Sequence, residues 1–179
     1  MSTILAFAGS NSSTSINHQL VTYLTTQLKE TSFELFKLSD MDLVIYSEDE
    51  ERDNGFPTSI SQIYKHIQAS EGLIISVNEH NSNPSAFFKN VLDWLSRLDR
   101  KFLEGKKLFL LSSSNGARGG MGSLEVTKNM LPRFGAEIVD TFSFPSFKEN
   151  FSVEEAKISN NEIKNEILEK LHKFEIALK

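Results

Sequence analysis

Short apolar runs alternate along the chain with longer stretches whose apolar residues recur at three- and four-residue spacing. The runs Thr3–Ala8, Phe33–Lys37, Gly72–Val77, Lys107–Ser112 and Glu137–Phe142 predict five strands. Helices are predicted at about Ser15–Glu30, Pro57–Ala69, Ala86–Arg97, Ser123–Phe134 and Val153–Leu178. The first, third and fourth runs are apolar enough to be buried on both faces, which is the signature of a mostly parallel sheet. This βα alternation implies an α/β fold, a three-layer sandwich with helices on both faces of the sheet. Neither a low-complexity linker nor an internal repeat interrupts it, and 179 residues suit one domain over 1–179.

In a doubly wound sheet, ligands bind outside the carboxyl ends of the strands, where the winding reverses. That rule singles out the loops after strands one, three and four: Gly9–Asn17, Asn78–Ser85 and Ser113–Gly122. All three are rich in Gly, Ser and Asn. Turn chemistry favours the same residues, so composition alone does not make these loops a site.

Charge and composition narrow the chemistry. A net charge of −5 and a pI near 5.4 argue against nucleic acid and against an anionic membrane surface, both of which demand a basic stripe. With no Cys there is no disulfide, thiolate nucleophile, Fe–S cluster or thiol-ligated zinc, so redox chemistry requires a borrowed cofactor. The aromatic residues comprise 14 Phe against three Tyr and one Trp, a set without polar tips that belongs in a core. No run of about 18 apolar residues is present, so no transmembrane helix is expected. The opening MSTILAFAGS lacks a basic region before its short apolar stretch, which fits a buried strand better than a signal peptide. A cytoplasmic location follows as the default.

The first loop carries six hydroxyl or amide side chains in a row, Ser10 to Ser15, directly before an amphipathic helix with Leu20, Leu24 and Leu28. Unsatisfied N–H groups and the positive end of the helix dipole attract an anion there. The dipole contributes about 0.3–1 kcal/mol and each hydrogen bond to an ionised group about 1.5–3, so the donors dominate. N-capping by Ser13, Thr14 or Ser15 would need only one such residue. The dinucleotide fingerprint G-x-G-x-x-G and the phosphate-loop motif ending in Gly-Lys-Ser/Thr are both absent. A monophosphate bound without Mg²⁺ fits better, and FMN is the common ligand of that type on this architecture.

Three stretches together are more specific. G-S-x-x-x-x-S-x-N-x-x-L (Gly9 to Leu20), SVNEHNSNPSAFFKNVLDWLSR (Ser76–Arg97) and SSSNGARGG (Ser112–Gly120) occur in that order. YSEDEERDNGFP (Tyr46–Pro57) and PSFKENF (Pro145–Phe151) add to them. The chain resembles the NADPH-dependent FMN reductase family over nearly its whole length. The resemblance implies a flavodoxin-like fold with a five-stranded parallel sheet of order 2-1-3-4-5. It implies non-covalent FMN, NADPH or NADH as hydride donor, a small-molecule electron acceptor such as free flavin or a quinone, and a homodimer or homotetramer. By that resemblance Ser10, Ser15, Ile16 and Asn17, with Ser12 beside them, hold the FMN phosphate. Glu79, His80, Asn81 and Ser82 form the loop against the isoalloxazine ring, and Ser113, Ser114, Asn115 and Gly116 wall its pyrimidine side. Many relatives have Arg where Ser12 stands and Gly where Ser82 stands.

Other residues have structural readings. His18, His66 and His172 fall on predicted helices with no companion ligand at metal spacing, and His80 is not assigned a metal. The acidic run Glu48–Glu51 suggests a solvated loop. A Ser-His-Asp hydrolase is disfavoured because G-x-S-x-G is absent. The helix after the second loop has two apolar stripes, Phe87, Val91, Trp94, Leu98 and Phe88, Leu92, Leu95. One faces the sheet; the Trp94 stripe packs either within the domain or, as the family is usually described, against a second subunit. Lys89, Asp93 and Arg97 follow at four-residue steps that suit ion pairs. The alternative function is an FMN-binding electron carrier that docks with protein partners. The absence of Tyr and Trp from the three loops favours an enzyme with an uncovered ring.

Overall fold

The computed structural model describes residues 3–29 and 31–179, and its elements follow the alternation of apolar and amphipathic segments. The chain passes through β1 (Thr3–Ala8), α1 (Ile16–Thr25), β2 (Ser32–Phe36), a 3₁₀ turn at Leu38–Asp40, α2 (Glu48–Asn54), α3 (Thr58–Ala69) and β3 (Gly72–Val77). A hairpin of β4 (Glu79–His80) and β5 (Asn83–Pro84) leads to α4 (Ala86–Leu98), β6 (Lys107–Ser113), α5 (Met121–Met130) and a second 3₁₀ turn at Leu131–Phe134. β7 (Glu137–Phe144), the short α6 (Phe147–Asn150), a hairpin of β8 (Phe151–Ser152) and β9 (Lys157–Ile158), and α7 (Asn161–Ala177) complete it.

The five long strands form one parallel sheet of order β2-β1-β3-β6-β7, the order 2-1-3-4-5 among sheet strands and a flavodoxin-like topology. Because strand side chains alternate between faces, β1 sends Leu5 and Phe7 to one core and Ile4 and Ala6 to the other. Leu5 and Phe7 join Leu73, Ile75, Leu108 and Leu110 beneath Ile60, Ile63 and Ile67 of α3 and Val91 and Leu95 of α4. Ile4 and Ala6 join Ile74, Phe109 and Leu111 beneath Leu20 and Leu24 of α1 and Leu171 and Phe174 of α7. β1, β3 and β6 are thus covered on both faces, and their carboxyl ends are the surfaces left to receive a ligand.

The structure corrects four local expectations. The acidic run Glu48–Glu51 is the first turn of α2, not a loop: Ser47 Oγ accepts the Glu50 N–H at 3.0 Å, and carboxylates favour the positive end of a helix. The predicted helix from Val153 begins only at Asn161. Ser152 Oγ does accept the Glu155 N–H at 3.2 Å, as in a helix start, but Ala156 takes φ 50° and the turn closes into β8–β9. Pairing Phe151 with Ile158 buries both against the α1/α7 core, which a helix over these residues would not do. The fourth predicted helix, Ser123–Phe134, ends in 3₁₀ geometry at Pro132, which cannot donate to an α-helical ladder. Arg97 pairs with Glu51 of α2, through Nε at 2.8 Å and Nη2 at 3.2 Å, and leaves Asp93 to Lys89.

Trp94 is fully buried within its own chain. Tyr46 and Phe56 pack edge-on against it at centroid distances of 5.0 and 6.0 Å, and its Nε1 donates to the Val44 carbonyl at 3.0 Å. Asn90 also pins this strap, accepting from Tyr46 N and donating to Val44 O. Trp94 therefore faces residues 44–56, and its indole is not presented to a second subunit. Glu51 ties the strap's far end to Arg97, whose hydrogen bonds hold that carboxyl below the ordinary carboxylate range.

Candidate functional site

The three polar loops meet at the carboxyl ends of β1, β3 and β6. Asn17, in the first turn of α1 and 2% exposed, joins them: its Nδ2 donates to the Ser113 carbonyl at 3.2 Å and its Oδ1 accepts from Ser76 Oγ at 2.7 Å. One amide side chain thus spans the ends of three strands. Gly9 N donates to Ser76 O at 2.9 Å, and Ser85 Oγ donates to Gly9 O while accepting the Phe88 N–H that caps α4. Gly9 has to be glycine here, since a Cβ would stand 2.7 Å from Cγ and Cδ2 of buried Phe88.

In the first loop the hydroxyls accept backbone N–H groups. Ser15 caps α1 by accepting from His18 N at 3.2 Å, Ser10 accepts from Ser12 N at 3.2 Å, and Ser12 accepts from Thr14 N at 3.3 Å. A hydroxyl that accepts still has its proton to donate. Ser10 and Ser15 are buried, whereas Ser12 is exposed. At the start of α1, Ile16 and Asn17 N–H have no carbonyl within the helix to bond. No Lys or Arg lies between Gly9 and Asn17, so the loop's attraction for an anion comes from N–H and O–H dipoles.

The second loop is the β4–β5 hairpin, with Glu79 opposite Pro84 and His80 opposite Asn83. Its two tip residues, Asn81 at φ 52° and Ser82 at φ 62°, are both left-handed, the requirement of a two-residue hairpin whose twist matches its strands. Ser82 meets that requirement at a cost of about 1–2 kcal/mol that a glycine would not bear. Glu79 Oε2 accepts the Ser123 N–H at 3.0 Å and so positions the hairpin on the amino-terminal end of α5. Gly122 permits that approach, because a Cβ there would lie 2.8 Å from Glu79 Oε2 and 3.0 Å from Ser82 O. His80 and Asn81 are exposed and border a separate cavity of about 450 Å³ with Val126 and Met130 of α5. His80 Nε2 lies 3.1 Å from Asn78 Nδ2.

The third loop folds on itself. Ser112 Oγ donates to Gly119 O at 2.8 Å, Ser143 Oγ donates to Arg118 O at 2.6 Å, and Gly116 N donates to Ser114 Oγ at 3.2 Å. Asn115, Gly116 and Arg118 are exposed, while Ser113 is 2% exposed. Two oxygens at this rim, Asn78 Oδ1 and Ser113 Oγ, are buried without a hydrogen-bond partner. Leaving such groups unsatisfied costs about 1–3 kcal/mol each, which suits a rim completed by a polar ligand.

The structure therefore joins Asn17 to Ser113 and Ser76, keeps Ser10 and Ser15 buried within the loop that leads to Asn17, leaves Ser12, Asn115 and Gly116 exposed with Ser114 half-buried, and brings Glu79 and Ser82 against α5. Sequence reasoning passed over Ser76, Ser85 and Asn78 as individual contributors. Ser76 had a signal: it is the one hydroxyl in the otherwise apolar GLIISV strand. Among the described residues there is no group of His, Asp or Glu that could hold a metal ion, and no helix long and apolar enough to cross a membrane.

A family profile described as NADPH-dependent FMN reductase matches residues 2–149. A quinone reductase of Escherichia coli (strain K12) is 34% identical over 79 residues, 44% of this chain and 42% of that protein, so the chain matches less than half the length of this relative. Among solved structures, FerB, a flavoenzyme NAD(P)H:(acceptor) oxidoreductase from Paracoccus denitrificans, superposes with a TM-score of 0.81 at 21% identity, over 99% of this chain and 97% of that one. An FMN-dependent NADH-azoreductase from Bacillus anthracis, solved in complex with FMN, gives a TM-score of 0.62 at 14% identity, over 100% of both chains. At these identities the two structures bear on the fold alone.

Proposed function

The match over residues 2–149 makes this chain a member of the NADPH-dependent FMN reductase family, and on that premise we propose that it is an NAD(P)H-dependent oxidoreductase holding FMN non-covalently at its three loops. The acceptor is a small molecule such as free flavin or a quinone. When bound, FMN supplies hydride uptake and electron release, chemistry that the side chains of a cysteine-free chain do not offer.

The observation that carries this reading is the convergence of three loops on a rim with two buried, unpartnered oxygens, Asn78 Oδ1 and Ser113 Oγ. The residues fit a flavin monophosphate. Ser10 and Ser15 spend lone pairs on loop N–H groups and keep their protons for phosphate oxygens; Ser12, Ile16 N–H and Asn17 N–H add donors. The Asn17 side chain is already committed to Ser113 and Ser76, so its part is to position the loops. In this reading Glu79, His80, Asn81 and Ser82 form the loop against the ring, and Ser113, Ser114, Asn115 and Gly116 wall its pyrimidine side. None of the three loops contains Tyr or Trp to cover that ring, which suits access by a pyridine nucleotide.

The test is a titration of the purified chain with FMN followed by absorbance, then NADPH and NADH oxidation with 1,4-benzoquinone as acceptor. Saturable binding is expected, weakened about 10- to 100-fold by Ser15→Ala, the loss of one hydrogen bond to an ionised group. A chain that takes up no FMN overturns the reading. One that binds FMN but oxidises neither nucleotide is an electron carrier, and the enzyme assignment fails.

A further inference from the structure

The chain contains two Asn-Gly pairs, Asn54–Gly55 and Asn115–Gly116. In such a pair the glycine N can reach the asparagine side-chain carbonyl, because no Cβ stands beside it. Neither glycine is hindered: beyond its chain neighbours, an added Cβ would meet nothing within 4 Å at Gly55 and only Ser114 Oγ, at 3.6 Å, at Gly116. The backbone separates the two pairs. Asn54 is the last residue of α2, and the Gly55 N–H closes that helix by donating to the Glu51 carbonyl at 3.0 Å. Attack on Asn54 Cγ would break that bond and take Asn54 out of helical dihedrals. Asn115 lies outside any helix or strand, exposed in the third loop. Hydrogen bonds tie the loop down on either side of it: Ser114 O accepts from Phe147 N and Gly116 O from Ser146 N, both at 3.0 Å. Between those ties, Asn115 makes no hydrogen bond through its N–H, carbonyl or amide among the described residues. The Gly116 N–H donates to Ser114 Oγ at 3.2 Å, a partner that one side-chain rotation withdraws.

We propose that Asn115 is a site of spontaneous deamidation in the folded chain, whereas α2 protects Asn54. The Gly116 N loses its proton and bonds to Asn115 Cγ, the Cγ–Nδ2 bond breaks, and ammonia leaves. Water, the co-reactant, then opens the cyclic imide, and nothing is oxidised or reduced. Opening at Cγ gives aspartate in an ordinary backbone. Opening at the backbone carbonyl carbon gives isoaspartate, with the chain running through the side chain. Either product exchanges an amide that can donate for a carboxylate that, ionised, only accepts. The consequence for the cofactor rests on the reading that the third loop walls the FMN ring: loss of one donor there weakens FMN binding about two- to tenfold.

The experiment ages the purified full chain in neutral buffer for weeks and maps its tryptic peptides by mass spectrometry against an unaged control. The two pairs fall on separate peptides, residues 108–118 for Asn115 and 53–65 for Asn54. A gain of one mass unit is expected in the first, with isoaspartate detected by methyltransferase labelling, and none in the second. In urea both peptides should gain it at similar rates, because unfolding removes the helical bond that guards Asn54. Gly116→Ala should slow the conversion by shielding the attacking nitrogen. An unchanged 108–118 peptide from the folded chain overturns the proposal, and so does equal conversion of the two pairs before unfolding. In the absorbance titration Asn115→Asp should bind FMN about two- to tenfold more weakly than the parent, and equal affinity overturns the consequence for the cofactor. A parent chain that takes up no FMN refutes the functional reading instead, and the mass measurement stands apart from it.

Discussion

Asn17 is the residue whose removal the structure makes most informative. Asn17→Ala deletes two buried hydrogen bonds, to Ser113 O at 3.2 Å and from Ser76 Oγ at 2.7 Å, and strands both partners. A buried polar group left unsatisfied costs about 1–3 kcal/mol, so the pair sums to about 2–6 kcal/mol. For a chain of this length each kcal/mol moves the melting temperature by about 2–4 °C, giving a fall of about 4–24 °C. Urea denaturation followed by circular dichroism measures the free energy directly. A double-mutant cycle with Ser76→Ala should return a coupling of about 1 kcal/mol or more, since the two side chains share one bond. Asn17→Asp sharpens the test. The aspartate can accept from Ser76 but, when ionised, cannot donate to the Ser113 carbonyl, so burial raises its folded-state pKa above the unfolded value of about 3.9. The folded state then binds more protons than the unfolded one, and the variant loses stability as pH rises from about 4 through that raised pKa. An Asn17→Ala penalty below about 1 kcal/mol, or strict additivity with Ser76→Ala, would refute the claim that this amide holds the three loops together.

Ser82→Gly removes left-handed strain of about 1–2 kcal/mol and incurs about 0.5–1 kcal/mol of glycine entropy, so a net gain of up to about 1 kcal/mol should appear in the urea midpoint. Gly9→Ala forces a methyl to 2.7 Å from the buried Phe88 ring and should destabilise by about 1–3 kcal/mol in the same assay. Burial pushes the Asp140 pKa up, but hydrogen bonds from Lys173, Lys170 and the Thr141 N–H outweigh it and leave the carboxyl below its ordinary value. Its contribution is therefore present above the unfolded pKa of about 3.9 and lost as pH falls through the lower folded one. Asp140→Asn should be less stable than the parent at pH 7, with the difference shrinking in acid; a constant difference across that range would count against the pairing.

Local pattern settled much of this protein. The apolar runs at Thr3–Ala8, Gly72–Val77 and Lys107–Ser113 had to be central parallel strands, because side chains of period two leave both faces to be covered. The serine-rich turn before Leu20 had to open a helix, and the three loop sequences were sufficient to suggest the family. These features depend on neighbours within a few residues, where periodicity and capping act. Tertiary structure decided what depends on partners far along the chain. Ser152 with Glu155 has the local grammar of a helix start, yet burying Phe151 and Ile158 together favours a hairpin. Trp94 lies on a stripe that could face any apolar surface, and only the return of Val44, Tyr46 and Phe56 covers it. Asn17 belongs to a loop rich in equivalent amides and hydroxyls; contact with Ser113, 96 residues away, singles it out as the link between strands. Sequence supplies each element's own preference, whereas burial is shared between elements and is fixed only when they pack.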